Sequence, residues 1–367
     1  MALRLAKAWG SSGHDVCIAM GRDEGAQRAI APDNVHYDFA PPSWLARRFE
    51  TFWLVWHLIG AIRRHRPDVL FCAGCTYAVV AAFVRLFMRG ECPPIVAKLS
   101  NSLERRDLWW PARAAYGMWL RDHPNIFERV VGMAAPMREE IRCCMRMKPD
   151  RISIVPDPAL NAEDLRALSP RIRHLGPGRR FVAIGRLTRQ KNFSVLLRAF
   201  AAMAEPDDRL LILGEGPQRR RLERLAARLG IDEQVGLPGH VGSVAEVLRS
   251  ADVFVSSSNY EGLPGVVVEA LAAGLPIVAT DCSACMDHLL GYGELGQLVP
   301  IRDVAALATA MRAAPRRDEV SVAAMKETAA QFTIERSAVL YLDVLAATAA
   351  GSSVPVWTEL LPVRDAA

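Results

Sequence analysis

Five short runs in the second half of the chain, Phe181–Gly185, Leu210–Gly214, Gln234–Gly239, Val253–Ser258 and Pro276–Thr280, are apolar, β-rich and bounded by turn residues. Segments with helical spacing lie between them, beginning near Asn192, Gln218, Val244 and Gly265. Strands that read as continuous apolar runs are covered on both faces, and their alternation with amphipathic helices predicts a parallel, doubly wound α/β sheet. Such sheets bind ligands beyond the C-terminal ends of their strands. The polar and glycine-rich motifs of this chain stand at those positions.

The first half repeats the pattern less regularly, with strands expected at Val16–Met20, Val35–Phe39, Val69–Gly74, Pro94–Ser100, Arg129–Ala134 and Ile152–Pro158. The opening residues, MALRLAKAWGSSGHDV, read as a helix, a turn and then a strand. At 367 residues the chain has room for two domains. The expected division is residues 1–170, then 171–345, with the Pro-, Gly- and Arg-rich stretch from Ser169 to Arg180 as linker and a tail, 346–367, crossing back to the first domain.

Glu261 and Glu269 bracket Gly262-Leu263-Pro264-Gly265, a turn that runs into an apolar helical segment. One carboxylate lies before the helix start and the other about one turn inside it. A helix N-terminus offers unpaired N–H groups and a positive dipole end to a phosphate, while carboxylates accept from sugar hydroxyls. The combination describes a sugar-nucleotide pocket. In Gly185-Arg186-Leu187-Thr188-Arg189-Gln190-Lys191-Asn192, Arg186 supplies a planar fork and Lys191 a point charge, a pair suited to a diphosphate. A plain basic surface loop has the same composition. Gly214 opens Gly214-Glu215-Gly216-Pro217, where a backbone without a side chain can approach either a ligand or a neighbouring loop. For His240 a structural or solvent-facing role is expected ahead of catalysis.

The composition, 51% hydrophobic and 23% charged, is that of a globular protein. The net charge of +5 arises wholly in residues 1–170, where 23 Lys and Arg face 18 Asp and Glu; the remainder has 22 of each. That mild excess fits a lipid-phosphate or membrane-surface partner and not nucleic acid. Phe52 to Ile62 is apolar and flanked by Arg47, Arg48, Arg63, Arg64 and Arg66. It fits an anionic membrane surface or a buried helix with solvated ends, and apolar residues all round it favour the buried helix. Eight cysteines without a secretory signal read as reduced thiols. Cys72/Cys75 and Cys282/Cys285 have CxxC spacing, but the 206 residues between the pairs argue against one zinc module.

In their order, GRLTRQKN, GEGP and EGLPGVVVEALAAGLPIVAT resemble the donor-binding domain of glycosyltransferase family 4, over about Phe181 to Asp303. GHDV, RPDVLF, VGMAAPMREEI and ISIVPDP resemble its first domain more loosely. The resemblance implies the GT-B fold, two Rossmann-like doubly wound domains facing across a cleft, and a retaining enzyme that moves a sugar from a nucleotide donor, expected to be a UDP-sugar. The acceptor it implies is a glycan or polyprenyl-phosphate-linked molecule in surface polysaccharide assembly. Arg186 and Lys191 would hold the diphosphate and offset charge on the leaving group. Glu261 would face the transferred sugar, Glu269 the ribose, and Gly214 with Gly262, Leu263, Pro264 and Gly265 would complete the donor site. No metal or other cofactor is implied, and the expected location is the cytoplasm, with peripheral contact on the inner face of the membrane.

The family pattern opens with a strand and glycine-rich loop that this chain is expected to lack, so a catalytically impaired sugar-nucleotide binder is the alternative, and a GT-B epimerase a more distant one. Two further departures are Asn101, where relatives carry a histidine, and His288, near the place of a glutamate.

Overall fold

The computed structural model describes residues 1–22, 31–41, 50–74, 77–103, 109–169, 172, 176–316 and 320–354. It is α/β throughout and divides into two compact units. The first comprises Met1–Pro158 together with the described chain from Ile334 onward, and the second comprises Ala159–Thr333.

In the first unit, helix α1 (Ala2–Ser11) leads to strands β1 (Cys17–Met20) and β2 (His36–Phe39), which pair in parallel. Helix α2 (Glu50–His65) leads to β3 (Leu70–Cys72), α3 (Ala78–Met88), β4 (Ile95–Lys98), α4 (Trp110–Ile126), β5 (Arg129–Gly132), α5 (Met137–Met145) and β6 (Ile152–Ile154). The four strands β3-β4-β5-β6 form a second parallel sheet in sequence order. Every residue of β4 and β5 is buried, including Lys98 and Arg129. The charge of Lys98 is met by Asp157 at 2.8 Å, and Arg129 donates to the Asp150 carbonyl at 2.6 Å. Buried cations need such partners, because an unpaired one would cost several kcal/mol.

In the second unit come α6 (Ala162–Leu168), β7 (Arg180–Ile184), α7 (Phe193–Met203), β8 (Arg209–Leu213), α8 (Arg219–Leu229), β9 (Val235–Gly239), α9 (Val244–Ser250), β10 (Val253–Ser256), α10 (Gly265–Ala272), β11 (Ile277–Thr280), α11 (Ala284–Leu289), β12 (Gln297–Val299), α12 (Val304–Ala313) and α13 (Val322–Ala330). The six strands are parallel in the order β12-β11-β10-β7-β8-β9. Leu196, Leu197 and Phe200 of α7 and Leu307 and Met311 of α12 bury completely with Leu210, Ile212, Val253 and Val255. Phe181 meets Phe200 edge-on at 5.8 Å. A side chain of this size contributes roughly 1.5–3 kcal/mol when fully buried, so this core sets the stability of the unit.

Two boundaries fall elsewhere than the residue pattern predicts. The division lies at Pro158/Ala159, before the expected 170/171, because α6 packs on α9 and α10 and buries Leu168 there. Asn161 caps α6 in a reciprocal box with Asp164, which fixes that helix start. The return to the first unit comes at Ile334, before the expected 346. Helix α14 (Ile334–Ala349) buries Tyr341, Val344 and Leu345 against α1, with Trp9, Phe71 and Tyr341 packed edge to face. Trp9 Nε1 donates to the Ala338 carbonyl at 3.0 Å. Parts of the expected linker and residues 355–367 lie outside the described residues.

Candidate functional site

Strand order in the second sheet reverses between β10 and β7, its two central neighbours. Loops leaving such a switch point diverge and open a crevice. The loop after β7 carries Arg186 to Asn192 and the loop after β10 carries Ser257 to Pro264, so strand order unites two motifs some seventy residues apart.

Hydrogen bonds tie the loop after β7 to those after β8 and β10. The Gly185 N–H donates to the Leu213 carbonyl at 2.9 Å, and the Leu187 N–H to Glu215 at 2.8 Å. At Gly214, with φ of +128°, an added Cβ would stand 2.2 Å from the Gly185 carbonyl oxygen. Of the two uses left open for Gly214, the structure displays close approach to a neighbouring loop. The Asn259 N–H donates to the Gln190 carbonyl at 2.8 Å, Gln190 Nε2 to the Tyr260 carbonyl at 3.0 Å, and Ser257 Oγ to the Lys191 carbonyl at 2.9 Å.

At the centre, Lys191 Nζ lies 2.6 Å from Glu261 Oε1, with both side chains largely buried. Ser258 Oγ donates to the same oxygen at 2.9 Å. Glu261 Oε2 has no hydrogen-bond partner among the described residues and is not sealed from solvent. One carboxylate oxygen therefore anchors Lys191 while the other stays open to a hydroxyl donor. Beneath them Thr280 Oγ1 donates to the Ser258 carbonyl at 2.6 Å, and Ser283 Oγ to the Gly262 carbonyl at 2.9 Å, which fixes the turn before α10.

Residue order anticipated Arg186 and Lys191 as a cationic pair; the structure couples Lys191 to Glu261 and leaves the Arg186 side chain exposed without a partner among the described residues. Gly262, Leu263 and Pro264 are buried and Gly265 half-buried at the α10 start, where Pro264 makes no side-chain cap. Glu269 is half-buried one turn further in. The three serines Ser256–Ser258, all buried, were not singled out; small hydroxyl residues closing an apolar strand are the signal that marks them. Cys282 lies close by, where burial and the Glu261 carboxylate push its thiol up to about 12. His288 is buried, its Nδ1 3.4 Å from Tyr292 Oη, while His240 and Asn101 are exposed. Cys72 is buried and Cys75 lies outside the described residues. A separate cavity of about 360 Å³ opens beside the Arg186–Asn192 loop, lined by Arg189, Arg198, Arg221 and Arg302 among others. None of the anticipated donor residues lines it.

Both loops lie inside the stretch matched by one of two family models. Residues 178–315 fit the model for "Glycosyl transferases group 1", and residues 1–158 fit that for "Glycosyltransferase Family 4". The chain belongs to the family 4 type of glycosyltransferase. Over 135 residues it is 40% identical to the phosphatidyl-myo-inositol mannosyltransferase of Mycobacterium leprae, covering 35% of this chain and 35% of that protein. It is 33% identical over 120 residues to a Campylobacter jejuni enzyme, N-acetylgalactosamine-N,N'-diacetylbacillosaminyl-diphospho-undecaprenol 4-alpha-N-acetylgalactosaminyltransferase, covering 33% of each. These alignments span about a third of each relative's length. The Anabaena HepE structure in complex with UDP superimposes with a TM-score of 0.67 at 14% identity, covering 91% of this chain and all of HepE. The lipopolysaccharide outer core galactosyltransferase WaaB gives 0.70 at 16% identity, covering 94% of both. The fold is therefore GT-B.

Proposed function

We propose that this glycosyltransferase moves a sugar from a UDP-sugar, with retention of anomeric configuration, to a glycan or polyprenyl-phosphate-linked acceptor in surface polysaccharide or lipopolysaccharide assembly. The donor is held by the second unit and the acceptor received by the first, at the cytoplasmic face of the membrane. The arrangement that carries this reading is the Lys191–Glu261 pair at the sheet's switch point, beside the uncapped start of α10 and the exposed fork of Arg186. The relatives add support: the two above act on lipid-linked substrates, and HepE was solved with UDP.

In this mechanism the donor diphosphate sits between Arg186 and Lys191, with the N–H groups of Gly262, Leu263 and Gly265 available to it, Pro264 having none. As the bond from the anomeric carbon to the phosphate oxygen lengthens, negative charge grows on the leaving UDP. Arg186, Lys191 and the helix dipole offset that charge without a metal ion. Glu261 Oε2 accepts from a hydroxyl of the transferred sugar, and Glu269 from the ribose hydroxyls. The acceptor attacks on the face the leaving group vacates, so no protein nucleophile is assigned.

Calorimetry with UDP tests the donor site. Arg186→Ala is expected to weaken UDP binding by roughly 1–3 kcal/mol, the value of a charge-assisted contact. Unchanged affinity in that variant, or a wild-type protein that ignores UDP and takes GDP, refutes the assignment.

A further inference from the structure

Helix α2 was expected to be buried on all sides, and it is not. One face, with Val55, Ile59 and Ile62, is buried, while Phe52 and Trp56 on the other are 51% and 63% exposed. Helix α3 lies alongside and turns Val79, Leu86 and Phe87 outward, at 41%, 61% and 50% exposed. The rings meet across the two helices: Phe52 to Phe83 at 5.5 Å, Phe83 to Phe87 at 6.2 Å, and Phe87 to Trp56 at 5.7 Å. Helix α4, packed next to α3, exposes Trp110 and Met118, at 75% and 65%, with Trp109 just before it at 72%. One layer of three adjacent helices thus presents aromatic and aliphatic side chains to water in continuous stripes. Monomeric soluble surfaces rarely carry such a patch without a partner.

Charge at the rim identifies the partner. Helical spacing puts Arg63 on the stripe of Phe52 and Trp56, and Arg121 on that of Trp110 and Met118; Arg89 directly follows α3, and all three are exposed. Glu91 stands 3.6 Å from Arg63, whereas Arg89 and Arg121 have no carboxylate within ion-pair range among the described residues. A second copy would bring the same arginine-rimmed face against itself, and like charges there would repel. Phospholipid matches both halves of the pattern, since rings settle at the boundary of headgroup and acyl chain while arginines reach the phosphates.

We propose that the outer face of α2, α3 and α4 is a docking surface for an anionic phospholipid bilayer. No described helix is long and apolar enough to cross a membrane, so the contact is peripheral. It rests on the membrane-face location proposed above and not on the donor reading, which UDP titration checks separately.

Cosedimentation of the full chain with phosphatidylcholine vesicles, with and without phosphatidylglycerol, provides the test. Wild type is expected to partition onto the mixed vesicles with a blue shift in tryptophan emission. Trp56→Ser combined with Phe87→Ser should lower that partition by on the order of tenfold or more. Trp56→Phe should retain it, which separates a lost surface from a damaged fold, with far-UV ellipticity as a further control. Arg63→Gln and Arg121→Gln should each weaken binding to the mixed vesicles by on the order of fivefold. Wild type remaining in the supernatant with both vesicle types overturns the proposal, as does undiminished binding by the serine variant. So does a vesicle-inert dimer in sedimentation velocity that the serine variant dissociates, since a second copy would then cover the face.

Discussion

Replacing Glu261 with Gln separates the two roles that its two oxygens suggest. At 2.6 Å the attraction to Lys191 is about 6 kcal/mol gross at an effective dielectric of about 20, most of it offset by the cost of taking both charges out of water. The net worth of such a charge-assisted contact is about 2 kcal/mol. Glutamine keeps the shape and still accepts from Ser258, so the loss is confined to the charge. Lys191 is then a largely buried ammonium without its counterion, and the unliganded second unit should lose about 2 kcal/mol of stability.

The same deficit favours UDP. In the wild type a diphosphate must compete with Glu261 for Lys191; in the variant it restores the missing anion. By linkage, most of the stability lost without ligand returns as binding energy, so UDP should bind Glu261→Gln about 5- to 30-fold more tightly while sugar transfer falls. Calorimetry with UDP reads the affinity. Unfolding should be followed by ellipticity, because none of the eight tryptophans lies in Ala159–Thr333; tryptophan emission then reports the first unit as an internal control. Loss of stability together with weaker UDP binding would refute the competition between carboxylate and diphosphate. No change in either would mean the pair contributes nothing.

Three more outcomes follow from local geometry. Gly214→Ala should destabilise the second unit by about 3 kcal/mol in urea unfolding, because the new methyl meets the Gly185 carbonyl, whereas Gly230→Ala, with φ of +69° but open space around it, should cost about 1 kcal/mol. Burial alone would raise the pKa of Asp38, but hydrogen bonds from Arg64 and His65 outweigh it and hold it below 3.8. A depressed carboxylate stabilises the fold above its unfolded value and loses that contribution as pH falls through the folded one, so acid unfolding of the first unit below about pH 4 should be shallower in Arg64→Ala. With its thiol pushed up to about 12, Cys282 should resist iodoacetamide at pH 8, where about one in ten thousand is thiolate, and mass spectrometry should find it labelled only after unfolding.

The sheet of the second unit was legible because its strands are buried on both faces, so each reads as an unbroken apolar run. Strand β12 was not, since Gln297–Val299 is three residues long with one of them buried. The early boundary had a sequence sign, Asn161 three residues before Asp164, a capping pair that announces a helix where a linker was expected. Motif spacing placed Arg186, Lys191, Glu261 and Glu269 at strand ends and a helix start. It could not place Lys191 against Glu261, because that pairing requires β7 and β10 to be neighbours, which strand order alone determines.

Helix α2 shows a different limit. Apolar residues all round a helix satisfy two arrangements equally: burial on every side, or burial on one side with an outer stripe against another apolar phase. Periodicity cannot separate them, since both need Val55 and Ile59 inward and tolerate Phe52 and Trp56 outward. What separates them is whether a further layer covers the outer stripe, and here that stripe is open and ends at Arg63. An arginine in line with exposed aromatics is awkward for a stripe awaiting a protein core, because it would have to be buried too. It is natural for one that rests where hydrocarbon gives way to phosphate. The flanking arginines, taken from sequence as solvated helix ends, are better explained as the polar border of that contact.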